Sequence, residues 1–188
     1  MSLFKRDHAD WLVVGLGNPG PRYAGTRHNV GFDVLARLAE RWDMPRAKDK
    51  YKGRFTVGRI YPGGPSVALL QPQTYMNESG TSVGPARGAL QLDLDRVVVI
   101  HDEIDLPFGR IESRIGGGLA GHNGLKSLKQ GLGSADFRRV RVGVGRPDTT
   151  DPEIVSAYVL GRFSEPKADV QDLIDRAASE VERVVTAE

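Results

Sequence analysis

Along the chain, short unbroken apolar runs alternate with longer stretches of helical period. "WLVVGL", residues 11–16, is apolar and bounded by glycine, as a buried strand is. Past a Gly/Pro loop, Val30, Val34, Leu35, Leu38 and Trp42 recur at helical spacing opposite Asp33, Arg37, Glu40 and Arg41, which predicts a helix starting near Asn29. "RFTVGRI" and "SVALLQ" flank "YPGGP" and predict an antiparallel hairpin. "QPQTYMNESG" reads as a loop, with Ser79 or Thr81 capping a short helix that runs to about Leu90. "RVVVIHDEID" is a second buried strand with a polar tip.

"GRIESRI" predicts a further short strand, and "HNGLKSLKQGLG" a helix bearing two lysines. Between them "GGGLAG" is the most flexible stretch of the chain, because glycine tolerates backbone angles closed to other residues. "FRRVRVGVG" alternates arginine and valine and predicts a strand with one basic face. "EIVSAYVL" reads as a short helix. Residues 165–186 predict a longer one with an apolar stripe of Val170, Leu173, Ile174, Ala177, Val181, Val184 and Val185. This order of elements specifies an α/β fold: a twisted mixed β-sheet flanked by helices, in a single domain spanning residues 1–188.

Composition narrows the picture. The 188 residues are 39% hydrophobic, enough to bury a core unaided. The chain has no cysteine, which removes disulfides, thiolate metal sites and a thiol nucleophile. The opening "MSLFKRDHADW" lacks a leader's apolar centre and no run approaches membrane-spanning length, so a cytoplasmic protein is expected. Net charge is only +2, but residues 1–146 hold 22 Lys/Arg against 14 Asp/Glu, whereas residues 147–188 hold 4 against 10. That asymmetry fits a polyanionic partner for the main body, and equally a solvated acidic face on the final helix.

Gly15, Gly17 and Gly20 spell G-x-G-x-x-G behind the first strand, the spacing of a dinucleotide fingerprint. Its context is wrong. Pro19 and Pro21 disfavour helical geometry at Asn18 and Gly20, the helix starts some ten residues late, and the next two strands form a hairpin instead of a crossover. The loop reads instead as a rigid bend presenting Asn18, Tyr23, His28 and Asn29 at the carboxyl end of a strand, where open α/β sheets bind ligands. The strand "VVVIHDEID" delivers Asp102, Glu103 and Asp105 to the same edge. A neutral imidazole there could take a proton from water, with a carboxylate fixing its tautomer. Asn18, Asn77 and Asn123 each sit beside Gly or Pro, or at a helix start, where turn formation explains any one alone; converging, three amides suit an ester or amide substrate. No His/Asp/Glu set has a tight metal-ligand spacing.

Taken together, "GLGNPGPRYAGTRHNVG", "QPQTYMNESG", "HDEIDLPFG", "GGGLAGHNGLKS" and "FRRVRVGVGRP" resemble the bacterial peptidyl-tRNA hydrolase family, over nearly the whole chain and in the family's order. The resemblance implies a monomeric enzyme that needs no metal or organic cofactor. It would cleave the ester between a peptide and the 3′-terminal ribose of tRNA. By the same resemblance His28 is the base that activates water, Asp102 supports it, and Asn18 helps tell N-blocked from free aminoacyl groups. Tyr23, Tyr75, Asn77 and Asn123 match positions lining the substrate site. Arg114 and Arg141 match basic positions near tRNA phosphate, Lys126 and Lys129 extend that patch, and "GGGLAG" becomes a gate beside the cleft. The alternative is an RNA-binding protein of the same fold without catalysis.

Overall fold

The computed structural model describes residues 6–187; residues 1–5, part of the opening stretch read as unlike a leader, lie outside them, as does residue 188. Among the described residues seven strands are present: β1 Trp11–Gly15, β2 Lys48–Lys50, β3 Gly53–Arg59, β4 Ser66–Pro72, β5 Val97–Glu103, β6 Ile111–Ile115 and β7 Arg138–Gly143. They form one mixed sheet in the order β2-β3-β4-β1-β5-β7-β6. Its centre, β4, β1, β5 and β7, is parallel, and the flanking β2, β3 and β6 pair antiparallel. The helices are α1 Val30–Arg41, α2 Gly80–Leu90, α3 Asn123–Leu132, α4 Pro152–Val159 and α5 Lys167–Thr186.

The period-2 alternation of side chains on a strand sorts the apolar runs into two cores. Trp11, Val13, Val98 and Ile100 face α1 and α5 with Val34, Leu38, Leu173 and Val181. Leu12, Val14, Val97 and Val99 face α2 and α3 with Val83, Ala86, Leu125 and Leu128. A parallel sheet covered on both faces explains why β1 and β5 read as unbroken apolar runs. Every residue of either strand is buried, including the polar tip His101, Asp102 and Glu103.

The G-x-G spacing has a packing cause. A side chain on Gly15 would collide with the backbone oxygen of Gly31, and one on Gly31 would lie 2.5 Å from Ile100 O. The pair lets the first turn of α1 settle directly on the ends of β1 and β5. A Cβ on Gly17 would sit 2.7 Å from the Phe32 ring. These glycines are places of close approach within the chain, and no helix starts in the loop to cradle a phosphate.

The start of α2 corrects one expectation. Ser79 holds the N-cap position, but its hydroxyl donates back to Met76 O at 2.7 Å, and that of Thr81 donates to Glu78 O at 2.8 Å. The free Gly80 N–H is instead satisfied by Ser127 Oγ of α3 at 2.8 Å. Helices α2 and α3 cross closely enough at Gly80 and Gly131 that a distant side chain serves as the cap. Among the described residues no helix is long and apolar enough to cross a membrane.

Candidate active site

The carboxyl edge of the parallel centre opens into a cleft of about 780 Å³ whose lining includes Asn18, His28, Asn77, Asp102, His122 and Asn123. The six come from five parts of the fold: the β1 exit loop, the 3-10 turn Arg27–Asn29, the turn before α2, the end of β5, and the start of α3, which supplies both His122 and Asn123.

The turn Arg27–Asn29 sends its three side chains three ways. Asn29 exchanges two hydrogen bonds with the Asn18 backbone, accepting from Asn18 N at 2.8 Å and donating to Asn18 O at 2.9 Å. His28 Nδ1 lies 3.0 and 2.9 Å from the two oxygens of Asp102. Arg27 turns away from the cleft into the protein. Asn18 Oδ1 accepts from Met76 N at 2.7 Å, which leaves its amide N–H₂ as the group for the cleft.

A carboxylate facing His28 Nδ1 requires that nitrogen to carry the proton, so Nε2 keeps its lone pair for another proton. Burial opposes a charge on His28, but attraction to Asp102 and their hydrogen bond outweigh it and make the imidazole more basic than usual. Burial would by itself raise Asp102; the two imidazoles beside it hold its carboxyl far below the usual range.

The second imidazole, His122, was not anticipated from sequence. Its Nε2 lies 2.8 Å from Asp102 Oδ1, while its Nδ1 accepts from the Gly124 and Leu125 N–H groups at 3.1 and 3.3 Å. His122 is therefore the side-chain N-cap of α3, and the helix amides assign its tautomer: Nδ1 bare, Nε2–H donating to Asp102. The available signal was a histidine immediately before a helical apolar pattern.

His101, also unforeseen, is buried beneath this pair with Nδ1 2.9 Å from Asp102 O and, among the described residues, no partner at Nε2. Burial and the neighbouring His122 push its imidazole down to about 3, so it stays neutral.

One nitrogen or oxygen each from His28, Asp102 and His122 lie within 4.8 Å of one another, close enough to ask whether they hold a metal ion. The donors are already committed to each other. A cation at His122 Nε2 would displace its proton while Nδ1 still accepts from two amides, which demands an imidazolate, and a cation on Asp102 would compete with two N–H donors.

The remaining expected residues divide. Asn77 and Asn123 are exposed on the cleft wall, and neither side-chain amide bonds to another described residue. Tyr75 is 61% exposed on a ridge shared with a second cleft that includes Lys50 and Lys52. Tyr23 lies outside the lining of this cleft, and its backbone oxygen accepts from Thr26 Oγ1 at 2.8 Å and braces the loop. Lys126 lines the cleft, and Lys129 is exposed one turn further along α3.

Arg114 is exposed beside Gly117. Arg141 differs from its expected place on a basic face, because its Nε donates to Glu103 Oε1 at 2.9 Å and its Nη1 to Glu112 Oε2 at 2.8 Å. Its charge is compensated inside the protein. Arg139 is fully buried and donates to the oxygens of Gly118 and Gly117 at 2.6 and 3.1 Å, so the glycine-rich loop is held at its start.

A parallel sheet with a buried imidazole–carboxylate pair and free amides at its carboxyl edge defines an α/β enzyme equipped for general-base attack on a carbonyl group. Comparison with known proteins narrows that class. The family model described as peptidyl-tRNA hydrolase matches residues 12–188, and the chain belongs to that family. It is 45% identical over 176 residues to the peptidyl-tRNA hydrolase of Geobacillus thermodenitrificans, covering 93% of this chain and 92% of the relative. It is 49% identical over 177 residues to that of Geobacter sulfurreducens, covering 94% and 89%. The crystal structure of peptidyl-tRNA hydrolase from Acinetobacter baumannii superposes with a TM-score of 0.84 at 39% identity, covering 95% of this chain and 91% of that one.

Proposed function

We propose that this chain is a monomeric, cytoplasmic, single-domain enzyme that hydrolyses the ester joining a peptide, or an N-blocked aminoacyl group, to the terminal ribose of tRNA, and so returns free tRNA to translation. The observation that carries the mechanism is the pairing of His28 Nδ1 with Asp102, which aims a bare Nε2 at a cleft lined by unpartnered amides. Water on Nε2 loses its proton to His28 as it attacks the ester carbonyl. Asp102 stabilises the imidazolium that forms. The Asn18 amide N–H₂, with Asn77 or Asn123, donates to the developing oxyanion and to the acyl group's main chain. The ester C–O bond to ribose then breaks, and the departing oxygen takes the proton from His28 to leave as a hydroxyl. No step calls for a metal or organic cofactor.

Lys126, Lys129 and Arg114 are the cations proposed to meet tRNA phosphate, with Arg141 retained only as a brace for Glu103 and Glu112. The non-catalytic RNA-binding reading is not favoured, because the matched relatives carry the enzyme's name and the polar set of the site is complete. The deciding experiment is release of N-acetyl-aminoacyl groups from tRNA by the purified protein, with unblocked aminoacyl-tRNA and His28→Ala as parallel reactions. Cleavage of the blocked substrate alone, lost in the variant, is the expected result. Tight tRNA binding without cleavage would support the non-catalytic reading instead.

A further inference from the structure

Helix α4 forms one wall of the cleft through Val155, Ser156 and Val159, with Leu160 just past its end, yet none of the helix's residues is buried. A helix so little embedded needs another anchor, and it has one in Arg27. The Arg27 Nη1 donates to Tyr158 O at 2.9 Å and its Nη2 to Ser164 Oγ at 3.4 Å. The guanidinium carbon lies 3.9 Å from the centre of the Tyr158 ring, and the Arg27 backbone N–H donates to Gly161 O at 3.0 Å. The last turn of α4 contains no basic residue of its own, so Arg27 supplies from outside the cation that a helix C-terminus favours. Tyr158 is tied in turn to the core, its hydroxyl donating to Val144 O at 2.6 Å just beyond β7.

Arg27 is 7% exposed, makes no ion pair among the described residues, and leaves its Nε without a partner. A buried cation without a carboxylate is costly unless other groups replace its water. Here those groups are the oxygen and ring of Tyr158 and the Ser164 hydroxyl, and the two from Tyr158 remain only while α4 is docked. Arg27 and His28 are neighbours in one 3-10 turn, whose third member is pinned to Asn18. Because both side chains leave one three-residue turn, a backbone shift at Arg27 carries His28 with it.

We propose that Arg27 is a positioning residue: it couples the docking of α4 over the cleft to the orientation of His28, so that the base is aligned only when the wall beside the acyl group is in place. The inference rests on the reading of His28 as the base.

The test uses Arg27→Met, Tyr158→Leu, the double variant, and Arg27→Lys in the full chain, with melting temperature recorded for each. One readout, the NMR titration of the His28 ring without substrate, does not depend on activity. Asp102 and His122, the titratable groups that face His28, are untouched by every substitution. The midpoint is expected to fall in both Arg27→Met and Tyr158→Leu as the His28–Asp102 contact loosens, and to fall less in Arg27→Lys. The other readout is hydrolysis of N-acetyl-aminoacyl-tRNA. Here kcat is expected to drop about 10- to 100-fold in either single variant, as for a displaced reacting group. The change in KM should be much smaller, and the double variant no worse than the singles. An unchanged His28 midpoint in Tyr158→Leu, losses that multiply in the double variant, or a loss confined to KM would each overturn the proposal. A wild-type protein that left the ester intact would strike the functional reading instead, and the titration would still decide the coupling.

Discussion

The imidazoles of His28 and His122 lie 4.9 Å apart, centre to centre, on one carboxylate, and use their nitrogens in opposite senses. His28 meets Asp102 through Nδ1 and offers Nε2 to the cleft. His122 meets Asp102 through Nε2 and spends Nδ1 on the first amides of α3. One ring is therefore free to take a proton, and the other is a fixed brace.

If His28 is the base, His28→Ala should lower kcat by about 10²- to 10⁴-fold while the melting temperature stays close to that of the parent. Steady-state hydrolysis of N-acetyl-aminoacyl-tRNA, with a thermal melt of the same preparation, checks both halves. Near-normal turnover would remove His28 from the mechanism.

Asp102→Asn should change the pH profile as well as the rate. The base must be neutral to act, so kcat/KM rises with pH through the midpoint of His28, which Asp102 raises above 6.5. An amide at position 102 removes that charge and leaves burial, which lowers the midpoint. The rising limb should then move to lower pH as the plateau falls. A limb that stayed in place would assign it to another group.

For His122→Ala two losses are expected together, because this ring caps α3 and orients Asp102. Removing the cap should cost about 1 kcal/mol of stability in a denaturant titration, with a concurrent fall in kcat. Full activity in a destabilised variant would reduce His122 to a structural cap.

The arginines should separate by salt dependence. Arg114→Ala should leave stability unchanged and make KM for the tRNA substrate less sensitive to salt, as loss of one phosphate contact does. Arg141→Ala should destabilise by roughly 3 kcal/mol or more, because it strands the buried Glu103. Equal melting temperatures for the two variants would contradict this division.

Asp33 yields a test of stability alone. Burial pushes its carboxyl up to about 6, against the pull of Arg37. A group raised on folding stabilises the native state fully below its unfolded value near 3.8, and that contribution is lost as pH rises through about 6. At neutral pH the ionised form is a burden, so Asp33→Asn should gain about 1–2 kcal/mol there and little at pH 4. A variant less stable than the parent at pH 7.5 would show that the carboxylate is held by contacts stronger than its burial penalty.

Much of this was legible from spacing, because the strands that build the site are fully buried and therefore read as plain apolar runs. Spacing placed His28 and three carboxylates, Asp102, Glu103 and Asp105, at one carboxyl edge, and the family resemblance singled out Asp102. What escaped depends on approaches between distant segments. His122 reads as a surface residue after a glycine loop until α3 is laid beside the end of β5. Ser127 caps a helix 47 residues away in sequence, a link that no local pattern records. Arg141 alternates with valine as an exposed basic face would, and only its ion pairs with Glu103 and Glu112 show the charge to be spent. Tyr23 shares the loop of Asn18 and His28 but lies off the cleft wall, because the loop bends between them.

The acidic character of the C-terminal segment has a consequence for how a substrate arrives. Asp175 and Glu182 of α5 meet Arg37, Arg41 and the Trp42 indole N–H, on the face of the sheet opposite α3. α3 carries two lysines and no acid. Over its length α5 holds five acids against three bases, so charge is unevenly divided across the sheet despite a small net charge, with the acidic helix on the face away from the lysine-bearing one. Such a body experiences a torque in the field of a polyanion before any contact forms, so encounters are pre-oriented, and added salt should slow capture more than it slows chemistry.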